Sequence, residues 1–163
     1  MPPAIFRAAE ILDMAIQIEN QGIAFYSACM EMVDSSELKE VFTFLIGQER
    51  NHRDIFSGMK TAFIDVSLPE SFAGEYESNV AAFVRGKIFA SPEVGAEKAR
   101  SLPDARAAVD WALEFEQGSI DFYKLIKNNV RASEGADIER IIGEEKRHID
   151  ILQGLRRKLN TGS

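Results

Sequence analysis

Cysteine is nearly absent from this chain, and its scarcity excludes several kinds of site. Among 163 residues there is one cysteine, Cys29, so an internal disulfide cannot form. A zinc knuckle built from paired cysteines is excluded for the same reason. A reducing cytoplasm is therefore the expected compartment.

Long apolar runs and excess positive charge are also lacking. No uninterrupted hydrophobic stretch approaches the length of about 20 residues that a membrane-spanning helix needs, and the first residues have no apolar core of an export signal. The formal net charge is −7, which disfavours binding to a phosphate backbone. We therefore expect neither a membrane nor a nucleic acid as partner.

Alternating strand patterns are missing, whereas helical spacing of apolar residues is extensive. We predict an all-α fold with one domain over residues 1–163. Its main helices are expected over about residues 4–33, 37–62, 104–129 and 136–159, with Ser36 as a helix N-cap. A crossover over about 63–103 is expected to hold short helices near 77–89 and 92–100. Two short turns and one long crossover predict a four-helix bundle of two antiparallel hairpins.

The two halves of the chain repeat each other. The stretch IGQERNHRDIFSGM (46–59) shares seven of its fourteen positions with IGEEKRHIDILQGL (142–155), and each stretch holds one of the two histidines, His52 and His148. IENQGIAFY (18–26) likewise matches FEQGSIDFY (115–123) at Glu, Ile, Phe and Tyr. The bundle should therefore have a two-fold pseudo-axis relating its hairpins. Gly47 and Gly143 recur inside the repeated helices, and we expect close helix contacts there.

Each predicted helix has one glutamate on its apolar face, and two of the helices add a histidine three residues later. Each glutamate lies about 15 residues, or about 22 Å, from the turn of its own hairpin, which places all four at one height. Buried carboxylates need cations, and two divalent ions would neutralise four of them. Oxygen-rich ligands with one nitrogen per metal favour iron or manganese. The alternative is a bundle whose acidic face is open to water. The candidate metal ligands are Glu19, Glu49, His52, Glu116, Glu145 and His148.

These motifs resemble the rubrerythrin-like branch of the ferritin-like di-iron carboxylate superfamily. The resemblance extends over all four helices and rests on the segments 19–26, 49–52, 116–123 and 145–148. It implies two iron ions, with manganese or a mixed-metal site as alternatives. By this analogy Glu49 and Glu145 would bridge the metals, and Glu19 and Glu116 would each bind one metal. His52 and His148 would each hold one iron.

Tyr26 and Tyr123 each follow a candidate ligand by two helical turns. A buried phenol needs a hydrogen-bond partner, so we expect these tyrosines to contact the ligand carboxylates. Simple filling of the core is the alternative role.

Two features differ from the rubrerythrin pattern. Rubrerythrins usually have a rubredoxin domain with four cysteines, and this sequence has one cysteine. Electrons would therefore come from a separate donor such as a rubredoxin. Rubrerythrins also have a second glutamate three residues after the ligand of the third main helix, where this chain has Ser119 and, in the first half, Gly22. These small residues either leave space for a bound oxygen species or allow close packing.

The resemblance implies a di-iron oxidoreductase that acts on hydrogen peroxide or O2, and we expect a homodimer. Two alternatives remain. One is a ferroxidase in iron handling, for which a large cage-like oligomer is expected. The other is a non-catalytic interaction module stabilised by its metals.

Overall fold

The computed structural model describes residues 8–62, 92–127 and 132–162. These residues form five α-helices and no β-strand, which confirms the all-α prediction. The helices are α1 (Ala8–Met32), α2 (Ser36–Ala62), α3 (Pro92–Ser101), α4 (Ala105–Lys127) and α5 (Ala132–Asn160).

Four of these helices form the bundle. Helix α1 packs mainly on α2, and α4 packs mainly on α5, so each half of the chain is a helical hairpin. Further contacts between α1 and α4, and between α2 and α5, join the two hairpins. Helix α3 lies against α1 outside this ring, at the end of the crossover. The hairpin repeat therefore places the faces of four helices around one core.

The helix starts follow capping chemistry, with two differences from prediction. The backbone amide of Leu38 donates to Ser35 Oγ over 3.4 Å, so Ser35 caps α2 and the predicted cap, Ser36, is the first helical residue. Helix α5 begins at Ala132, four residues earlier than predicted. Ala132 favours helix and Glu134 suits the positive end of the helix dipole, so this segment extends α5 instead of forming a turn.

The other predicted boundaries agree with the structure within a few residues where they can be compared. Helix α4 starts at Ala105, after Asp104 Oδ1 accepts a hydrogen bond from the amide of Ala107 at 2.8 Å. Helix α3 corresponds to the short helix expected near 92–100. The expected helix at 77–89 and the predicted helical residues 4–7, 128 and 129 lie outside the described residues.

Aromatic rings form layers on both sides of the bundle centre. Tyr26 stacks on Phe42 with ring centroids 5.9 Å apart, and Phe56 lies 5.0 Å from Tyr123. All four side chains have no measurable exposure to solvent. These layers close the core along the bundle axis above and below the level of the candidate ligands.

Close helix packing does not explain the two repeated glycines, so that expectation is wrong. A Cβ atom built on Gly47 or Gly143 meets nothing within 4 Å among the described residues. Replacing either residue with alanine should therefore raise the free energy of unfolding by about 0.5–1 kcal/mol, because glycine is a poor helix former. Chemical denaturation of the metal-loaded variants measures this change.

Gly22 provides the matched control for this substitution. A Cβ there would lie 3.3 Å from Phe115 Cε1 and 3.5 Å from Glu49 Cδ, so Gly22→Ala has less room. We expect Gly22→Ala to raise the free energy of unfolding by less than the other two substitutions, or to lower it. Destabilisation by Gly47→Ala and Gly143→Ala would contradict the open space around them.

Among the helices that the structure describes, none combines the length and the apolar character that crossing a lipid bilayer requires.

Candidate metal centre

Six ionisable side chains meet in the middle of the bundle. Helices α1 and α4 each contribute one glutamate, and α2 and α5 each contribute a glutamate and a histidine one helical turn later. Every one of these residues is at most 2% exposed. The six are the candidate ligands of the sequence analysis: Glu19, Glu49, His52, Glu116, Glu145 and His148.

The six side chains form two overlapping groups that each suit one metal ion. In each group the candidate donor atoms all lie within 4.8 Å of one another. The two groups share Glu49 and Glu145. We call them the His52 group (Glu19, Glu49, His52, Glu145) and the His148 group (Glu49, Glu116, Glu145, His148).

The shared carboxylates each turn a different oxygen to each histidine. Glu49 Oε2 lies 3.5 Å from His52 Nδ1, and Glu49 Oε1 lies 3.9 Å from His148 Nδ1. Glu145 Oε1 lies 3.1 Å from His52 Nδ1, and Glu145 Oε2 lies 2.8 Å from His148 Nδ1. The imidazole rings are nearly parallel, with centroids 5.7 Å apart. Each of the two carboxylates therefore has one oxygen available to each group.

The unshared carboxylates are held by tyrosines from the opposite hairpin. Tyr123 on α4 donates a hydrogen bond to Glu19 Oε1 on α1. In the reciprocal contact, Tyr26 on α1 donates to Glu116 Oε1 on α4. Each carboxylate thus has one oxygen fixed by a phenol, while the other, Oε2, makes no hydrogen bond within the described residues. Both phenols lie where the sequence placed them, against candidate ligands.

Several buried polar atoms of the cluster are left without hydrogen bonds. Burying a polar group without a partner is costly, and an uncompensated charge costs more. A pair of divalent cations would compensate this cost, because carboxylate oxygens and imidazole nitrogens are suitable donors. The residues present therefore fit a di-metal centre. The atoms without a hydrogen bond in the described part of the chain are Glu19 Oε2, Glu49 Oε1, Glu116 Oε2, Glu145 Oε2, and Nδ1 and Nε2 of His148.

Crowding of the carboxylates changes their protonation. Burial, followed by the charges of Glu19 and Glu116, raises the pKa of Glu49 well above its usual value. Burial and the charges of Glu49 and Glu116 raise the pKa of Glu145 to about 8. Burial also opposes ionisation of Glu116, but the nearby imidazole of His148 outweighs it and lowers the pKa of Glu116. In the metal-free protein, the shared glutamates therefore retain protons near neutral pH.

The pKa values of the two histidines are raised by the same carboxylates. Burial alone would lower the pKa of His52, but the surrounding carboxylates, with Glu145 first among them, raise it far above the usual range. Burial is likewise outweighed at His148, where Glu116 and Glu145 raise the pKa to about 11. Bound metal ions would replace these protons as the positive charge of the site.

Glu144 is a polar contact of this site that the sequence did not indicate. Its Oε2 lies 2.7 Å from His52 Nε2, the ring nitrogen that faces away from the carboxylate cluster. Two adjacent acidic residues on a helix usually indicate a solvated face, and Glu144 is partly exposed, at 18%. Comparison of the two repeats did not point to Glu144 either, because the equivalent residue in the first half is Gln48.

The small residues beside the site have distinct surroundings. The hydroxyl of Ser119 is buried and donates to the backbone oxygen of Phe115 at 3.0 Å, so it does not replace the missing carboxylate. Gly22 lies against the side chain of Glu49, where an added Cβ would be 3.5 Å from its Cγ and Cδ. Gly22 therefore allows the close packing of Glu49, which was one of the two roles expected for it.

The fold and the buried cluster together define a ferritin-like helical bundle with a carboxylate-rich site for two metal ions. The fold is shared with a crystal structure described as a ferritin-like diiron-carboxylate protein from Thermotoga maritima. That structure has a TM-score of 0.71 and 24% sequence identity, and the alignment covers 94% of this chain and 96% of the other.

The chain belongs to the Rubrerythrin family, whose model matches residues 10–156. This confirms the resemblance on which the sequence analysis relied. No curated protein sequence matches the chain.

Proposed function

We propose that this protein is a di-iron oxidoreductase that reduces hydrogen peroxide or O2 with electrons from a separate donor such as a rubredoxin. The observation that carries the proposal is the sharing of Glu49 and Glu145 between two buried groups of ligands. Shared carboxylates hold two ions close together, and a pair of irons supplies the two electrons needed to cleave one O–O bond. The ferritin-like neighbour, described as a diiron-carboxylate protein, supports the same metal.

The distances in the site support the ligand roles that we propose. Glu49 and Glu145 would bridge the ions, since each directs its two oxygens to different histidines. His52 and Glu19 would complete one site, and His148 and Glu116 would complete the other. We propose iron over manganese because of the family, and either ion suits this oxygen-rich donor set.

The protein itself positions the site, excludes water and holds protons. The aromatic layers of Tyr26 with Phe42 and of Phe56 with Tyr123 limit the access of water along the bundle axis. Burial, followed by the charges of neighbouring glutamates, raises the pKa of both tyrosines well above the usual value. The phenols therefore remain protonated donors that orient their carboxylates.

The test is a reaction of the anaerobically reduced, iron-loaded protein with limiting peroxide or with limiting O2. Fast oxidation seen by absorbance, and turnover when rubredoxin and its reductase are supplied, would support the proposal. Reduced protein whose spectrum neither oxidant changes would instead indicate the non-catalytic module. We also propose that the protein is a homodimer and that it is cytoplasmic. Light scattering tests the homodimer against a larger assembly.

Ser119 favours ferroxidase activity in iron handling as the second candidate function. Typical rubrerythrins have a further glutamate here, whereas this protein has a hydroxyl that donates to the backbone oxygen of Phe115. A ferroxidase would oxidise many ferrous ions per chain with O2 and no added reductant. A cage-like oligomer and such continued iron oxidation would favour this function over the first.

Replacing Ser119 with glutamate should shift the reactivity towards peroxide. The new carboxylate would lie one helical turn from Glu116 on the same face, so it would add an anion beside the irons. We expect the ratio of peroxide turnover to O2 turnover to rise several-fold, measured with rubredoxin and reductase. Ser119→Gln is the matched control, because it adds the same bulk without the charge. An unchanged ratio in a folded variant with two irons would refute a role for this position.

A further inference from the structure

The two histidines of the centre differ in the surroundings of their outer ring nitrogens. His52 Nε2 contacts the carboxylate of Glu144 at 2.7 Å. His148 Nε2 is buried and makes no hydrogen bond within the described residues. The ring of Phe44 lies beside His148, with centroids 6.3 Å apart and planes at 82°. The pseudo-symmetry of the ligands therefore does not extend to the groups behind them.

The sequence explains this asymmetry. Glu144 directly precedes the shared ligand Glu145, and Gln48 directly precedes the shared ligand Glu49. The two positions are equivalent in the repeat, so within the described part of the chain a carboxylate lies behind one histidine only. Gln48 is half-buried, as is Glu144, which shows that both positions lie at the margin of the core.

A carboxylate behind a histidine strengthens that histidine as a metal ligand. The carboxylate accepts the proton of one ring nitrogen, which fixes the tautomer and leaves the lone pair on the other nitrogen. In His52 the other nitrogen is Nδ1, which lies 3.1–3.7 Å from oxygens of Glu145, Glu49 and Glu19. The contact with Glu144 therefore orients His52 for binding within its group and makes its Nδ1 more basic.

We propose that the two metal sites have unequal affinities, and that Glu144 is the positioning residue that makes the His52 group the tighter one. The first metal ion then occupies the His52 group, and the ion in the His148 group is the one that exchanges. The proposal rests on the di-metal centre, and it is independent of which oxidant the centre uses.

The test is an anaerobic titration of the metal-free protein with Mn²⁺, Co²⁺ or Fe²⁺. Calorimetry and competition with a chelator yield the two dissociation constants. We expect two separate steps in the natural protein. Glu144→Gln should weaken the tighter step about 10- to 100-fold, the usual effect of removing such a partner, and change the other step little. His148→Ala should retain the tighter step, whereas His52→Ala should lose it.

The reciprocal substitution separates a positioning role from a structural one. Gln48→Glu places a carboxylate at the equivalent position behind His148, so it should tighten the weaker step and bring the two constants together. Asp150→Asn is the control for charge, because Asp150 is an exposed acidic residue of the same helix. It should change neither step.

Two results would overturn the proposal while leaving the metal centre intact. One is equal weakening of both steps by Glu144→Gln in a variant that keeps its helix content. The other is no weakening at all. Failure of the natural protein to bind any of these metals would overturn the centre itself, and the proposal with it.

Discussion

Removing the metal ions at neutral pH should lower the melting temperature by more than about 10 °C. An ion present at a thousand times its dissociation constant stabilises the folded state by about 4 kcal/mol per site. In a protein of this size, each kcal/mol corresponds to about 2–4 °C. Without metal, one oxygen of each of the four buried glutamates also makes no hydrogen bond among the described residues, which is a further cost.

This difference in melting temperature should widen as the pH rises. The pKa of Glu145 is raised from 4.5 to about 8, and that of His148 is raised from 6.5 to about 11, so the folded metal-free protein holds protons that the unfolded chain releases. Stability from such groups is lost as pH rises towards their folded pKa values. Metal binding has the opposite dependence, because protons compete for the same ligand atoms.

Thermal unfolding with and without chelator at pH 5.5, 7 and 8.5 measures both effects. Between pH 5.5 and 8.5 the metal-free protein should become less stable, while the metal-loaded protein should change less. The control is Glu49→Gln, in which the chelator should have little effect because one shared ligand is lost. A difference in melting temperature that is equal at pH 5.5 and 8.5 would show that the titration of these buried groups is not linked to metal binding.

The fold and the meeting of the six candidate ligands could be predicted because both depend on regular helical geometry. A helix rises by a fixed amount per residue, so Glu19 and Glu49, placed symmetrically about their turn, had to lie at one height. The repeat then brought Glu116 and Glu145 to the same height. Glutamates on otherwise apolar helix faces need compensation, which made a metal site the expected solution.

Other features depend on neighbours that sequence spacing does not specify. Glu144 contacts His52 across the gap between α5 and α2, and no sequence pattern links the two residues. The exchange of tyrosine hydrogen bonds between hairpins depends on how α1 faces α4. The open space beside Gly47 depends on the distance to neighbouring helices, so a glycine in the sequence does not indicate whether a helix packs closely there. The start of α5 differed because a weak turn signal competed with good helix formers.

Replacing a shared glutamate should remove both metals, whereas replacing an unshared one should mainly weaken one site. Glu49 and Glu145 belong to both ligand groups, and Glu19 belongs to one. Metal content after anaerobic reconstitution should therefore fall from about two ions per chain to near zero in Glu49→Ala and Glu145→Ala. It should remain at one or more in Glu19→Ala and Glu116→Ala. Elemental analysis after gel filtration measures the ratio, and peroxide turnover should fall with the loss of the second ion.

Unfolding of the variant would also lower metal content, and stability distinguishes that outcome. The pKa of Glu49 is raised by burial and by the charges of Glu19 and Glu116, so in the metal-free protein Glu49 lies in an unfavourable environment. The nearly isosteric Glu49→Gln is neutral without a proton, so folding of the metal-free variant no longer includes the cost of protonating this side chain. Its metal-free form should melt at a higher temperature than the metal-free natural protein, even though the variant no longer binds two ions. A Glu49→Gln protein that keeps both ions would refute the bridging role. One that loses them and also melts lower in the metal-free state would show that Glu49 supports the fold through contacts other than metal binding.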